Sequence, residues 1–396
     1  MFLQHQTNTV AILVRATEGS PPFVDELFCR RLSLESHKYG LHIIVLPVSN
    51  ESNASRLTQG YAYDRGHWSV VSLPAVNLIM DRCLLPLPRA FKQQLQELVP
   101  ASGGYHRRYW SGSLPGKWKV HRTLSGDTKL RTLLAPTALL QPGTSWEEWL
   151  KRWPKGIFFK PVSGTHGKDT FRLYSSDPPS SWTMEGRNTH NELIQRTFNH
   201  RQDVTAWLDS SRAGKKMMIQ PYLELSHHGR PFDIRALVQK NGQGRWSLTG
   251  CMVREGPAGS LTSNLHGGGK AYPVHPYLLE RYGSNRTNAL VETIRQASAR
   301  IPTLLENRFG RLAELGLDFG ADVQGRLWLL EVNSKPGRSS FAEAGDTRMH
   351  ALTYSRPLAY ARYLLQQHVL TDVIRPMKMP NTSSTAGLKP IPIQGG

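Results

Sequence analysis

The sequence predicts an α/β unit followed by a larger α+β region, and three observations carry that reading. Buried-strand runs alternate with a helical stretch over residues 8–110. Strand-like runs crowd together from Gly156 onward, separated by glycine-bearing turns. An apolar stripe at Leu290, Ile294, Ala297, Ile301 and Leu305 then marks one face of a helix over 288–306 that packs on its neighbours.

In chain order, Thr9 to Arg15 reads as a buried strand, Pro22 to Tyr39 as a helix ended by Gly40, and Leu41 to Pro47 as a second strand. A Ser/Asn-rich loop follows, then strand candidates at Trp68 to Leu73 and Val76 to Met80. This βαβ-like order predicts a small parallel sheet. Ala16-Thr17-Glu18-Gly19 stands where a dinucleotide-binding glycine fingerprint would follow the first strand, which disfavours that function. Lys117 to Trp149 is helical with breaks, and further strands are expected at Gly156 to Lys160, Asp169 to Tyr174, Met217 to Leu223 and Asp233 to Lys240. Pro, Ser, Thr and Gly dominate from Met377 onward, which predicts a disordered tail over 377–396.

A chain of 396 residues suits two or three packed units, and 39% hydrophobic with 20% charged residues fits a soluble globular protein. The run Val10 to Val14 is far too short to cross a bilayer and no basic leader precedes it, so a cytoplasmic location is expected. Cys29, Cys83 and Cys251 lie far apart without metal or redox spacing and read as reduced packing residues. The net charge of +19 favours polyanionic partners without naming one.

The segment Leu317 to Asn333 places two β-rich runs around Gln324-Gly325, a hairpin signal. If Val323 pairs with Arg326, outward counting sets Asp318 opposite Glu331, with Asn333 on the same face. Opposed carboxylates roughly 5 Å apart repel by about 3 kcal/mol at an effective dielectric near 20. A hard divalent cation with oxygen ligands, a wet position at the sheet edge, a protonated carboxylate or a salt bridge would each offset that repulsion.

The stretch Lys160-Pro161-Val162-Ser163-Gly164-Thr165-His166-Gly167-Lys168-Asp169 has two residues between its glycines and Asp after its lysine, so it is not a Walker loop. It does join a strand ending in Lys160 to another beginning at Thr170, and a flap of that kind can fold over phosphates with its free N–H groups.

Read in order, the lysine-ended strand and flap, the Met217 to Glu224 strand and linker, GRPFDIRALVQ, SNLHGGGKAYP and LGLDFGADVQGRLWLLEVNSKPG resemble the ATP-grasp fold, in which two α+β subdomains grip ATP. The combination looks most similar to the endospore coat-associated YheC/YheD-like group of spore-forming Firmicutes. The resemblance spans about 110–365 and implies a Rossmann-like pre-ATP-grasp subdomain over 1–110 and an ATP-grasp domain over 111–370, divided into a central part at 150–225 and a C-terminal part at 226–370. It implies Lys117 and Lys160 on nucleotide phosphates, with Lys119 a rival for the first. Gln220, Tyr222 and Glu224 match the linker that holds adenine and ribose. Arg235 and Arg254 match residues facing the γ-phosphate and acyl group, and Asn264 to Lys270 a closing loop. Asp318, Glu331 and Asn333 match ligands of Mg²⁺, with Mn²⁺ as an alternative.

The implied reaction is ATP-dependent carboxylate–amine or carboxylate–thiol ligation through an acyl phosphate, linked to spore coat formation. A coat-associated structural protein that keeps the fold without turnover is the alternative; a nucleic-acid-binding protein rests on charge alone. The expected partners are an acidic or peptide substrate and spore coat proteins, with no membrane and with oligomeric state left open. Two departures bear on ATP affinity: Gly167-Lys168-Asp169 replaces an arginine- or glycine-rich flap end, and Gln220 stands where many relatives carry Glu.

Overall fold

In the computed structural model the described residues are 8–49, 57–99, 108–164, 167–176, 181–211, 214–258, 269–343 and 345–374. They build three sheets. In the first, β1 (Asn8–Arg15), β2 (Leu41–Val48) and β5 (Leu78–Asp81) are parallel and almost wholly buried, as continuous apolar runs between two layers require. The helix α1 (Glu26–Ser36) crosses from β1 to β2. Its start lies four residues later than Pro22, after Asp25 in a left-handed conformation.

The sheet is mixed rather than parallel. The strand β3 (Gln59–Asp64) pairs antiparallel with β2 and forms a hairpin with β4 (His67–Ser72), giving the order β4-β3-β2-β1-β5. Its polar, glycine-bearing sequence hides it, yet Gly60 is needed there: an added Cβ would lie 2.4 Å from Ile44 Cγ2. The helix α2 (Arg89–Leu98) buries Phe91 and Leu95 on the opposite face from α1.

The second sheet follows α3 (Lys117–Ser125), β6 (Ala138–Leu139) and α4 (Trp146–Arg152). It is antiparallel throughout, in the order β10-β9-β8-β7-β11-β6. Three of its strands, β7 (Ile157–Pro161), β8 (Thr170–Ser176) and β11 (Met217–Pro221), match the expected ones. The outer pair β9 (Ser181–Arg187) and β10 (Leu193–Phe198) is an addition, with α5 (Arg201–Ser211) leading back to β11.

The third sheet runs β15-β14-β13-β16-β17, and β12 (Ser226–His227) pairs beside β13 (Arg230–Lys240). Its other members are β14 (Trp246–Glu255), β15 (Lys270–Pro273), β16 (Glu314–Ala321) and β17 (Leu327–Asn333). The helix α6 (Val274–Phe309) breaks at Gly283 and lays Leu290, Ile294, Ala297, Ile301 and Leu305 into this core, as their spacing predicts. After α7 (Ser339–Glu343), α8 (Thr347–Ile374) buries Tyr354, Leu358 and Leu364 in one cluster with Phe28 and Leu32, tying the first sheet to the third. No helix among the described residues is long and apolar enough to cross a membrane. The tail at 377–396 lies outside the described residues.

Phe159 is fully buried and stacks on Phe171 at 4.9 Å behind the strand that ends in Lys160. Phe159→Ala should therefore cost about 3–5 kcal/mol, measured as a lowered midpoint in chemical denaturation.

Candidate functional site

Alternation along β7 drives the site: Ile157 and Phe159 enter the core, so Phe158 and Lys160 face the other way, into a cleft of about 250 Å³ between the second and third sheets. Lys160, Gln220 and Tyr222 line it on one side; Asp233, Asp318, Leu330 and Glu331 line it on the other. Lys117 closes one end. It is placed there because α3 begins at this residue, with its backbone N–H on Val162 O at 2.9 Å. Gly116 is required just before it, since a Cβ would meet Val162 Cγ1 at 2.9 Å.

The two lysines reach across. Lys117 Nζ donates to Gly164 O of the flap at 3.0 Å and lies 3.5 Å from Glu331 Oε1. Lys160 Nζ donates to Leu330 O at 3.1 Å. That carbonyl is available because the β16–β17 ladder carries a bulge at Leu330, between the pairs Asp318–Glu331 and Phe319–Leu329. Burial, together with the nearby Lys117 charge, brings the Lys160 ammonium down to about 8 despite Glu331. Behind it, burial and the Lys160 charge push His121 down to about 4.

On the third sheet, β13, β14 and β16 set two arginines among two aspartates. Arg235 stands opposite Asp318 in the ladder and holds both its carboxylate oxygens, the Nη2–Oδ2 bond measuring 2.9 Å. Arg254 stands opposite Asp233 and grips it with bonds of 2.6 and 2.7 Å, while its Nη2 lies 3.3 Å from Asp318 Oδ1. Burial alone would raise the Asp318 carboxyl, but Arg235 and Arg254 outweigh it and hold it below the usual range. Burial likewise works against the Arg254 charge, and Asp233 and Asp318 more than restore it.

The opposed carboxylates thus have separate counter-ions: arginines for Asp318 and Lys117 for Glu331. Asn333 Nδ2 donates to Asp318 Oδ2 at 3.3 Å, which brings all three expected ligands together. Among the described residues no three His, Cys, Asp or Glu side chains gather into a metal-binding group. The set here is two carboxylates and an amide, hard oxygen donors that fit Mg²⁺ or Mn²⁺ beside phosphate oxygens.

The remaining expected residues divide. Gln220 donates to Thr137 Oγ1 at 2.6 Å, and Tyr222 carries the Arg172 guanidinium over its ring at 3.9 Å. Glu224 does not line the cleft: it is drawn outward to Lys155, 2.7 Å away at the exposed rim. Lys119 is exposed on α3, away from the cleft lining. Lys270 is exposed on β15 opposite Glu255, also off the lining, and Asn264 lies outside the described residues. Sequence reasoning missed Asp233 and the apolar wall of Phe158 and Leu330. Asp233 is within reach of it, because residues two apart on a strand share a face and Arg235 lies two residues on.

The sequence model of the YheC/D-like ATP-grasp family matches residues 108–364. The chain belongs to that family. It is 26% identical over 361 residues to endospore coat-associated protein YheD of Bacillus subtilis (strain 168), covering 88% of this chain and 76% of that one. It is also 26% identical over 309 residues to endospore coat-associated protein YheC of the same strain, covering 78% and 83%. Among solved structures, D-cycloserine synthetase DcsG superposes with a TM-score of 0.51 at 12% identity, covering 91% of this chain and all (100%) of that one, a likeness of fold. The family model and this likeness agree on an ATP-grasp fold, in which the cleft described above lies between the second and third sheets.

The Lys160 environment has a pH consequence. A lysine brought down to about 8 loses its charge as pH rises through that value, so an anionic nucleotide is held best below it. Affinity for a non-hydrolysable ATP analogue should fall by about tenfold between pH 7 and 9. Lys160→Arg, charged throughout, should flatten the profile in the same titration.

Proposed function

We propose that this family member is an ATP- and Mg²⁺-dependent ligase that joins a carboxylate to an amine or thiol. One observation carries the reading: a single cleft sets two lysines, suited to phosphate, against the Asp318 and Glu331 carboxylates, and the Asn333 amide bonded to Asp318 completes a set of donors suited to a divalent cation. In the reaction a substrate carboxylate oxygen attacks the γ-phosphorus as the bond to the β-phosphate oxygen breaks, giving an acyl phosphate and ADP. The amine or thiol then attacks the acyl carbon, phosphate leaves, and the nucleophile's proton passes to solvent.

Lys117 and Lys160 hold the polyphosphate, and Lys160 does so from a desolvated position where its charge acts strongly. Arg235 and Arg254, already aligned by Asp233 and Asp318, stabilise charge developing on the transferred phosphoryl group and the acyl oxygen. Gln220 and Tyr222 belong to the linker that holds the adenine, with Glu224 swinging from Lys155 to the ribose. Asp318, Glu331 and Asn333 would hold a divalent cation, which when bound would neutralise phosphate charge. Asn264 and Lys270 belong to the segment that covers the acyl phosphate and excludes water. The names of the two relatives support an association with the spore coat; the substrate proposed here is an acid or peptide, handled in the cytoplasm.

A second reading, a coat-associated protein that keeps the fold without turnover, is favoured by the arginines that already occupy Asp318. Isothermal titration of the full chain with a non-hydrolysable ATP analogue separates the two. The ligase reading expects binding that Mg²⁺ strengthens by roughly tenfold or more, with that gain lost in Glu331→Gln. An absence of nucleotide binding in both proteins would sink it and leave the structural role.

A further inference from the structure

Every residue after Asn333 as far as Arg338, Gly337 excepted, is fastened to a part of the molecule outside the segment itself. Ser334 Oγ accepts from Leu114 N at 3.0 Å. Lys335 Nζ donates to Asp81 Oδ2 at 3.0 Å, at the end of β5 of the first sheet, and to Cys83 O just past it. Pro336 O accepts from Arg82 Nη1 and Nη2, each at 3.4 Å. Arg338 donates to Glu314 and, through Nε, to Thr353 O at 3.2 Å.

The same few groups close on themselves. Glu314, the first residue of the strand that carries Asp318, is 1% exposed and accepts from Arg82 at 3.2 Å and Gln239 at 2.9 Å as well as from Arg338. Both guanidinium groups lie over the Phe28 ring, Arg82 at 4.6 Å and Arg338 at 4.4 Å. Arg82 also reaches Asp25 at 3.4 Å. Buried charges of this kind hold one arrangement, because any shift leaves a charge unpaired in a dry interior.

We infer that the N-terminal sheet is a working part of the ligand site: through Asp81 and Arg82 it fixes the Ser334 to Arg338 segment, and thereby sets where Asn333 stands relative to Asp318 and Glu331. This rests on the nucleotide and metal reading above. Asp81, Arg82 and Lys335 are positioning residues, none of them lining the nucleotide cleft. Groups that orient ligands of a hard cation govern its affinity nearly as strongly as the ligands do. The first sheet's contribution is therefore selective. It bears on the metal-dependent part of nucleotide binding, whereas the lysines and the linker, held by the second sheet and α3, carry the metal-independent part.

The test is isothermal titration of the full chain with a non-hydrolysable ATP analogue, with and without Mg²⁺, on wild type, Asp81→Asn, Lys335→Gln and Lys335→Arg, with melting temperatures alongside. Wild type gauges the underlying reading, since a Mg²⁺-dependent gain there is required independently of any variant. Given that gain, Asp81→Asn and Lys335→Gln should each lose roughly tenfold or more of it, leave Mg²⁺-free affinity within about twofold, and fail to add when combined. Lys335→Arg should restore most of it. Mn²⁺ binding followed by electron paramagnetic resonance in the presence of the analogue should fall in parallel. Folded variants that keep the full wild-type gain, or that lose affinity equally with and without Mg²⁺, would overturn the inference and make the first sheet a passive scaffold.

Discussion

Two carboxylates facing each other across one ladder, Asp318 and Glu331, must each be compensated, and the cleft is arranged around that requirement. Arg235 and Arg254 answer Asp318, Asp233 answers Arg254, and Lys117 answers Glu331. Lys160 is the exception: it donates to a backbone carbonyl rather than a carboxylate, and burial together with the nearby Lys117 charge brings its ammonium down. Such an arrangement is suited to exchange. Phosphate oxygens entering between the lysines and arginines would take over partners that the carboxylates now hold, and the carboxylates would be freed for a cation at the same moment. Nucleotide and metal would thus lower each other's cost of binding.

The pairing of Asp318 with Glu331 was legible in the sequence, but the counting that reached it was wrong in two places that cancel. The turn is wider than Gln324-Gly325 alone: Ala321 pairs with Leu327, and Asp322 closes the loop by accepting from the amides of Gln324 and Arg326. That shifts the register by one residue, and the bulge at Leu330 shifts it back. A bulge has no reliable mark in an apolar run such as Leu327 to Leu330, where every residue suits a strand. Here the bulge also frees the carbonyl that receives Lys160, so a feature invisible in sequence supplies a direct link between the second and third sheets.

Other parts were legible for a simple reason. Strands buried on both faces, such as β1 and β2, announce themselves as unbroken apolar runs, and the stripe on α6 does so by its period. Strands with one face in water and no strict alternation do not. β10 reads Leu193 to Phe198 with most positions exposed, and β3 has glycine where a neighbour crowds it. Salt bridges that redirect a side chain are equally hidden. Glu224 looks like a linker residue in sequence, and only Lys155, placed beside it by β7, turns it to the rim.

The net charge of +19 has a different origin from the chemistry of the cleft. Among the described residues of the site, Lys117, Lys160, Arg235 and Arg254 are set against Asp233, Asp318 and Glu331, four cations less three anions, a local excess of one. The surplus lies elsewhere, on exposed residues such as Arg122, Lys129, Arg131, Arg286 and Arg326. At physiological ionic strength such charges are screened beyond about 8 Å. They can draw an anionic molecule toward the protein, while what happens to it inside depends on the few groups that Asp318 and Glu331 hold in place.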